Sequence, residues 1–451
     1  MDDIYSACSL KSITERKIWK PTLFVVSIIL AIIISVLPPS KTTNISVAIA
    51  TLLLTIIFVF RVRKNYGDLI AGIFLLYFNY SVIVGEYLSD GRLGTPMREV
   101  KTVEIYSILV KLMAIFMLVL AMNYKSSDGR KEPQYLVEKI NSKVAFYSVY
   151  LVLLLILVFG IKRGPLITYE VRITPIYEYA SILFILLYRY TARSRRGTMF
   201  FTLLLIAFAL QDLYYGGRVT TLRLITLYAL TIYYPKLTKA KIVFFSVLGI
   251  VLMTLVGSYR SAYFIAVGDV TKVVGSLLRS FFVNDTATFA YYASAAIVYA
   301  SQNVPFSLRL RSLLEFTCSI FTGSRSFYTA DNLSKFSANF ASHYGGSFVF
   351  SYPYFWFGFP GVIAFSILIV FMINAFDRHD KVLSSYLYII VITSLPRWYL
   401  YGPLVLMRGI FIGSLALSFV ILVESVVKRK GSKQMQRAGK GTQKVAKYIY
   451  R

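Results

Sequence analysis

The chain has 451 residues, of which 57% are hydrophobic and only 16% charged, and its mean hydropathy is +0.64. That balance excludes a soluble globular domain of this size and makes a lipid bilayer the solvent. The formal net charge of +28 does not point to nucleic acid, because the basic residues sit in short clusters between long apolar runs, as the positive-inside rule arranges them.

A hydrocarbon core of about 30 Å needs about 20 apolar helical residues, and on that criterion the sequence predicts an all-α, polytopic integral membrane protein with about twelve transmembrane helices. After an N-terminal segment, 1–20, nine apolar runs fill 21–256, at 21–37, 43–60, 68–85, 103–122, 144–160, 173–188, 198–214, 219–234 and 242–256. The first run lacks a small-residue cleavage site and reads as an uncleaved helix. Three more runs, at 357–376, 382–395 and 404–423, fill 356–426, and a basic tail occupies 427–451. The run at 382–395 is the shortest and suits a re-entrant or tilted element as well as a full span. Loop charges agree with the count: Arg61, Arg63 and Lys64, then Lys125 to Lys143, Arg189 to Arg196, Lys236 to Lys241, and Arg378 with Lys381 all land on one side. Both termini are therefore expected in the cytoplasm. The tail reads as a solvated end resting on anionic lipid.

The opposite side holds short connections and one long loop, 257–355, whose length implies a role. Within it Val270, Val273, Val274, Leu277, Leu278, Phe281 and Phe282 recur at helical spacing, and Asn284 offers an N-cap for a second helix through Phe289, Tyr292, Ala293, Ala296 and Ile297. These patterns predict a helical, membrane-hugging outer segment and no separate soluble domain.

The chain carries no P-loop, no dinucleotide fingerprint, no HExxH and no Cys/His metal spacing; Cys8 and Cys318 form no framework, so neither metal nor cofactor is expected. What stands out is arginine at the outer ends of the predicted helices: Arg163, Arg172, Arg218, Arg260, Arg279, Arg325, Arg397 and Arg408. Arginine near lipid is costly unless it pairs, and its planar fork matches phosphate. Several converging on one face suggest an anionic, phosphate-bearing lipid substrate; local pairing, such as Arg218 with Asp212 or Arg311 with Glu315, is the alternative. Arg218 has the best context, since Gly216 and Gly217 permit a tight turn and Arg218 then opens a helix whose free N–H groups favour an anion. His343, in the stretch Ser342 to Ser347, is the candidate base, with Asp285 as runner-up. The aromatic run Tyr352 to Trp356 suits an interfacial belt. His379 reads as a solvated loop residue.

At these residues the chain resembles the Wzy-type polymerases of bacterial envelopes, which join O-antigen and related oligosaccharide repeat units. The carriers are Tyr215-Gly216-Gly217-Arg218, Gly257-Ser258-Tyr259-Arg260, Asn284-Asp285-Thr286, Gly323-Ser324-Arg325, His343 to Ser347, Phe357-Gly358-Phe359-Pro360-Gly361 and the late Arg408. They span about the last half of the chain. The resemblance implies a metal-independent glycosyltransferase of the bacterial inner membrane. Such an enzyme moves a growing glycan from undecaprenyl pyrophosphate onto a newly flipped, lipid-linked repeat unit. It further implies a chain-length co-polymerase and a repeat-unit flippase as partners, and no nucleic acid. An O-antigen ligase of similar topology is the nearest alternative, and a transporter or flippase for lipid-linked oligosaccharide the alternative from another class.

Overall fold

The computed structural model describes residues 21–91, 102–125, 140–162, 172–173, 175–191, 194–215, 218–265, 283–322, 332–377 and 382–449. Apart from a two-residue antiparallel pair, β1 (Ile161–Lys162) with β2 (Arg172–Ile173), its regular structure is helical. In chain order come α1 (Pro21–Val36), α2 (Lys41–Val62), α3 (Tyr66–Val82, continued by a π-helix Ile83–Leu88), α4 (Val103–Asn123), α5 (Lys143–Phe159), α6 (Ala180–Arg189) and α7 (Arg195–Tyr214). The second half holds α8 (Val219–Thr231), α9 (Lys239–Ile265), α10 (Asp285–Asn303), α11 (Phe306–Thr322), α12 (Leu333–Ser337), α13 (Ser351–Asp377), α14 (Val382–Thr393), α15 (Leu395–Tyr401) and α16 (Leu404–Ile449).

Among the described residues six helices are long and apolar enough to cross a bilayer: α2, α3 with its π-helix, α4, α7, α13 and the first half of α16. Five more, α1, α5, α6, α8 and α14, are apolar but shorter. This is a helical membrane protein. Many starts follow from local capping chemistry, in which a polar side chain takes up an orphan N–H of the first turn. Ser40 accepts from Thr43, Asn65 from Gly67, Thr102 from Ile105, Ser142 from Ala145 and Ser194 from Gly197.

Described residues next to several of the basic loops meet at one end of the bundle, and direct contacts join them. Arg61 donates to the carbonyls of Ala121 and Met122 at the end of α4, and the Lys125 amide donates to Asn374 Oδ1 at 2.8 Å. Asn65 Nδ2 donates to Asp377 Oδ1 at 3.0 Å, and the rings of Tyr66 and Tyr234 lie 5.5 Å apart. Buried Arg189 closes an ion pair with the half-buried Glu424 of α16 at 2.6 Å. These contacts bring the described helix ends beside those loops together. His379 and Arg378 lie outside the described residues.

The segment expected to hug the membrane surface is organised differently. The amphipathic stretch 270–282 lies outside the described residues, but α10 is packed inside the bundle against α3, α4 and α13. Asn284 does cap it, accepting from Ala287 N at 3.0 Å. Its small residues, Ala287, Ala290, Ala293, Ala296 and Ala300, are all buried and let neighbouring backbones approach closely. Its tyrosines bury their rings because their hydroxyls find partners: Tyr292 donates to Glu86 at 2.9 Å and Tyr291 meets Tyr87 at 2.8 Å. Hydropathy alone ranks such an Ala/Tyr helix as polar, which is why the sequence places it outside.

Three breaks interrupt the late helices. In α13 Gly358 adopts φ 65°, ψ −150°, so residues 351–357 fold back on the helix that follows. Between α14 and α15 the chain turns at Ser394. Gly402 (φ 90°) then separates α15 from α16, and a Cβ there would lie 2.6 Å from the Tyr352 ring. Irregular backbone inside a membrane bundle must satisfy its own polar groups. Here Ser347 N donates to Leu400 O at 2.8 Å and Val349 N to Tyr399 O at 3.0 Å. Tyr399 in turn donates to Asn79 Oδ1 at 2.6 Å, and Asn79 to Thr55 at 3.1 Å, which fixes this junction against the middle of α3.

Candidate functional site

A groove of about 440 Å³ runs between α3, α8 and α9. Ile70, Ile73 and Phe74 line it from α3, Leu222 and Ile225 from α8, and Phe245, Leu248 and Gly249 from α9, so its walls are overwhelmingly apolar. One end lies by Tyr233, Leu237 and Ile242, toward the basic end of the bundle; the other holds Arg218, Asn284, Thr286 and Tyr77. An apolar groove with a guanidinium and the Asn284 amide at one end suits an amphiphile with an anionic head.

Arg218 stands at the N-cap of α8 and makes no side-chain capping bond; its carbonyl accepts the first helical bond, from Leu222 N at 3.0 Å. The position sets the arginine charge beside the positive pole of α8, whose Thr221 N–H is taken by Asp212. Gly216 and Gly217, which precede it, lie outside the described residues. Beside this mouth Asn284 donates through Nδ2 to Tyr77 at 3.2 Å while its Oδ1 caps α10, so one side chain ties the groove wall to a helix start.

Arg397 belongs to the same neighbourhood. Its flanking residue Pro396 and nearby Leu400 line the groove, its guanidinium lies 4.2 Å from the Tyr401 ring centroid, and its charge acts on Asp212 together with that of Arg223. Asp212, 1% exposed, accepts from Thr221 N at 2.9 Å and from Thr221 Oγ1 at 3.0 Å. It therefore fastens the first turn of α8, directly after Arg218, to the last turn of α7. Asp212 thus combines two bonds from Thr221 with the field of Arg397 and Arg223.

The other sequence candidates divide. Arg408 donates to Ser319 O at 2.6 Å, so it sits on the carbonyl end of α11, where a cation is favourable by itself. Arg260 falls in the last turns of α9; at 1.5 Å per residue it stands about 32 Å beyond Lys239 along the helix, beyond the groove residues Gly249 and Ile250. Arg325, Arg163 and Arg279 lie outside the described residues. Arg311 is paired with Glu315 at 3.0 Å, as the spacing suggests.

Of the two candidate bases, Asp285 is the first residue of α10, half-buried, and its neighbours Asn284 and Thr286 both line the groove mouth. His343 is tied into its own loop: Nδ1 accepts from Gly345 N at 3.0 Å, and Nε2 lies 3.1 Å from Ser337 Oγ. The first bond fixes the tautomer, leaving the proton on Nε2. Burial lowers its pKa below the usual imidazole value, against a smaller raising effect of a hydrogen bond to the Ser334 backbone. A base role requires one of these bonds to be given up.

Two buried carboxylate clusters escape the sequence reading. Glu86, 3% exposed in the π-helix, accepts from Tyr292 and, at 3.0 Å, from Tyr106. At the basic end Asp68 accepts from Tyr124 and Tyr388, both at 2.5 Å. Their signal was a carboxylate at each end of one apolar run, which near lipid marks an internal partner. Among the described residues no group of three or more metal-ligating side chains comes together. Comparison with protein-family models, with curated proteins and with solved structures finds no match for this chain.

Proposed function

We propose that the protein is a polysaccharide polymerase. It transfers a growing glycan from undecaprenyl pyrophosphate onto a new lipid-linked repeat unit at the outer face of a bacterial inner membrane, with both termini in the cytoplasm. The observation that carries this reading is the apolar groove with Arg218 at one mouth: it pairs a slot for a polyprenyl chain with a phosphate-matching head group at the end away from the basic loops. The Wzy-type resemblance of Tyr215 to Arg218 and of the later motifs supports the same assignment.

In this reading Arg218, with Arg397 and Arg260 beside the outer mouth, holds the donor pyrophosphate. The acceptor hydroxyl attacks the anomeric carbon, the bond from that carbon to the pyrophosphate oxygen breaks, and the guanidinium groups take up the charge on the leaving phosphate. The acceptor proton passes to a base. Asp285 suits that role by its position between two groove-mouth residues, and His343 is the alternative. The polymer belongs to the O-antigen, common-antigen, capsule or exopolysaccharide class, and a co-polymerase and flippase are the partners that go with it.

The test is purified protein with a lipid-linked repeat unit and no nucleotide. A ladder of longer glycans supports the proposal; unchanged repeat unit overturns it. The breaks at Gly358, Ser394 and Gly402 favour a second reading, a transporter of lipid-linked oligosaccharide, since transporters line their paths with discontinuous helices. That reading predicts movement of the repeat unit across a vesicle membrane and no ladder.

A further inference from the structure

Within α10, residues 287–298 are buried at every position but one, Phe289. That half-buried ring stands four residues after Asp285 and three after Thr286, on their face of the helix and about 5.4 Å, one turn, further along it. Asn284 and Thr286 line the groove mouth. With Asp285 and Phe289 they form the one opening, before Tyr299, in a helix otherwise enclosed by α3, α4 and α13. Over Phe289 lies Tyr344, the two ring centroids 4.8 Å apart and the planes tilted by 48°.

Tyr344 is 71% exposed, yet the loop that carries it is held on both sides. Before it, His343 is bonded to Gly345 and Ser337. After it, Gly346 has φ 77°, and a Cβ there would lie 2.9 Å from Leu400 O and 3.7 Å from the Ala290 backbone. Ser347 N donates to the same Leu400 carbonyl at 2.8 Å, and Leu400 lines the groove. The loop is thus wedged between α10 and α15 with the Tyr344 ring projecting, so little further ordering is needed when something packs on it. Interfacial belt aromatics stand on the lipid perimeter, whereas Phe289 belongs to a helix inside the bundle. Aromatic rings pack well against C–H groups, and a pyranose of glucose configuration turns its axial hydrogens to its two faces. We propose that Phe289 and Tyr344 form a saccharide-binding platform which, on the reading that the groove holds a polyprenyl pyrophosphate, stacks on a sugar ring of the attached glycan. The one-turn spacing from Asp285 puts the stacked ring about one sugar unit from that candidate base. The phosphate contacts stay with Arg218, since the pair itself is uncharged.

Two probes of equal charge test this on the purified full-length protein: the methyl ester of farnesyl pyrophosphate, and farnesyl pyrophosphate carrying N-acetylglucosamine on its terminal phosphate. The wild-type chain should bind the sugar-bearing probe about tenfold more tightly, toward the upper end of what an aromatic contact contributes. Tyr344→Ala and Phe289→Ala should each cut that preference to about twofold or less and leave binding of the methyl ester unchanged, which reports an intact groove. Tyr344→Trp should keep the preference. If Phe289→Ala does not fold, Tyr344→Ala decides alone, because the exposed Tyr344 ring can be removed without emptying the core. Equal binding of the two probes by the wild type, or a preference that survives the alanine variants, overturns the platform and leaves the groove reading standing. Binding of neither probe overturns the groove reading and the platform with it.

Discussion

At the scale of single residues, the two best-placed arginines separate by what they touch. Arg408 holds the carbonyl end of α11, so Arg408→Ala should lower stability by about 1.5–3 kcal/mol, the usual worth of a hydrogen bond to a charged group; thermal unfolding in detergent measures it. Arg218 lines the groove mouth, so Arg218→Ala should abolish lipid-linked glycan transfer when compared at matched amounts of folded protein in membranes. Arg218→Lys should keep part of that activity, because it retains the charge and loses the fork. His343 gives a pH test. Its folded pKa lies below the usual value of 6.5, so the unfolded loop binds the proton more readily, and the loop loses stability as pH falls through that value. Proteolysis of the 332–350 segment should therefore quicken on mild acidification, and His343→Gln should remove the dependence. The sequence placed Arg218 at a helix start after a glycine pair, and the structure puts it at the N-cap of α8. Glu86 and Asp68 stayed hidden, because their partners Tyr292 and Tyr388 are 206 and 320 residues away in sequence.

Among the elements, apolar runs of spanning length became helices nearly where periodicity puts them, since a run such as α4 has only one way to satisfy its backbone in lipid. What periodicity could not read was depth. The helix α10 is buried through alanine packing and tyrosine hydroxyls, and the stretch before α13 is held by the backbone of α15; both depend on contacts made across the chain. The run at 382–395 illustrates the middle ground. Its shortness was visible, and in the structure it is α14, ended by a turn at Ser394 where α15 begins. Gly402 carries the end of that arrangement. With φ at 90° and the Tyr352 ring 2.6 Å from where a Cβ would stand, Gly402→Ala meets both backbone strain and a clash. It should cost about 1–3 kcal/mol from the backbone alone, read as a lower unfolding temperature together with reduced membrane levels.

For the molecule as a whole, the basic clusters share one end and the groove's charged mouth faces the other. Reporter fusions at Lys64, Arg195 and Lys433 should read cytoplasmic and one at Asn303 external; a cytoplasmic signal at Asn303 would reverse the molecule in the membrane and put the groove mouth on the wrong side for a flipped substrate. In the proposed function the groove between α3, α8 and α9 holds a polyprenyl chain with its pyrophosphate at Arg218. Gly249 offers the sharpest probe, because a Cβ added there meets nothing within 4 Å, so Gly249→Leu starts its side chain in open space at the groove wall and favours the helix. The decisive measurement is photolabelling of the purified protein with a diazirine-bearing polyprenyl pyrophosphate, followed by peptide mapping. Label on Phe74, Leu222 or Phe245, reduced roughly tenfold or more in Gly249→Leu and in Arg218→Ala, one decade being about 1.4 kcal/mol of binding, is the expected result; label confined to other helices, or undiminished in both variants, would contradict it.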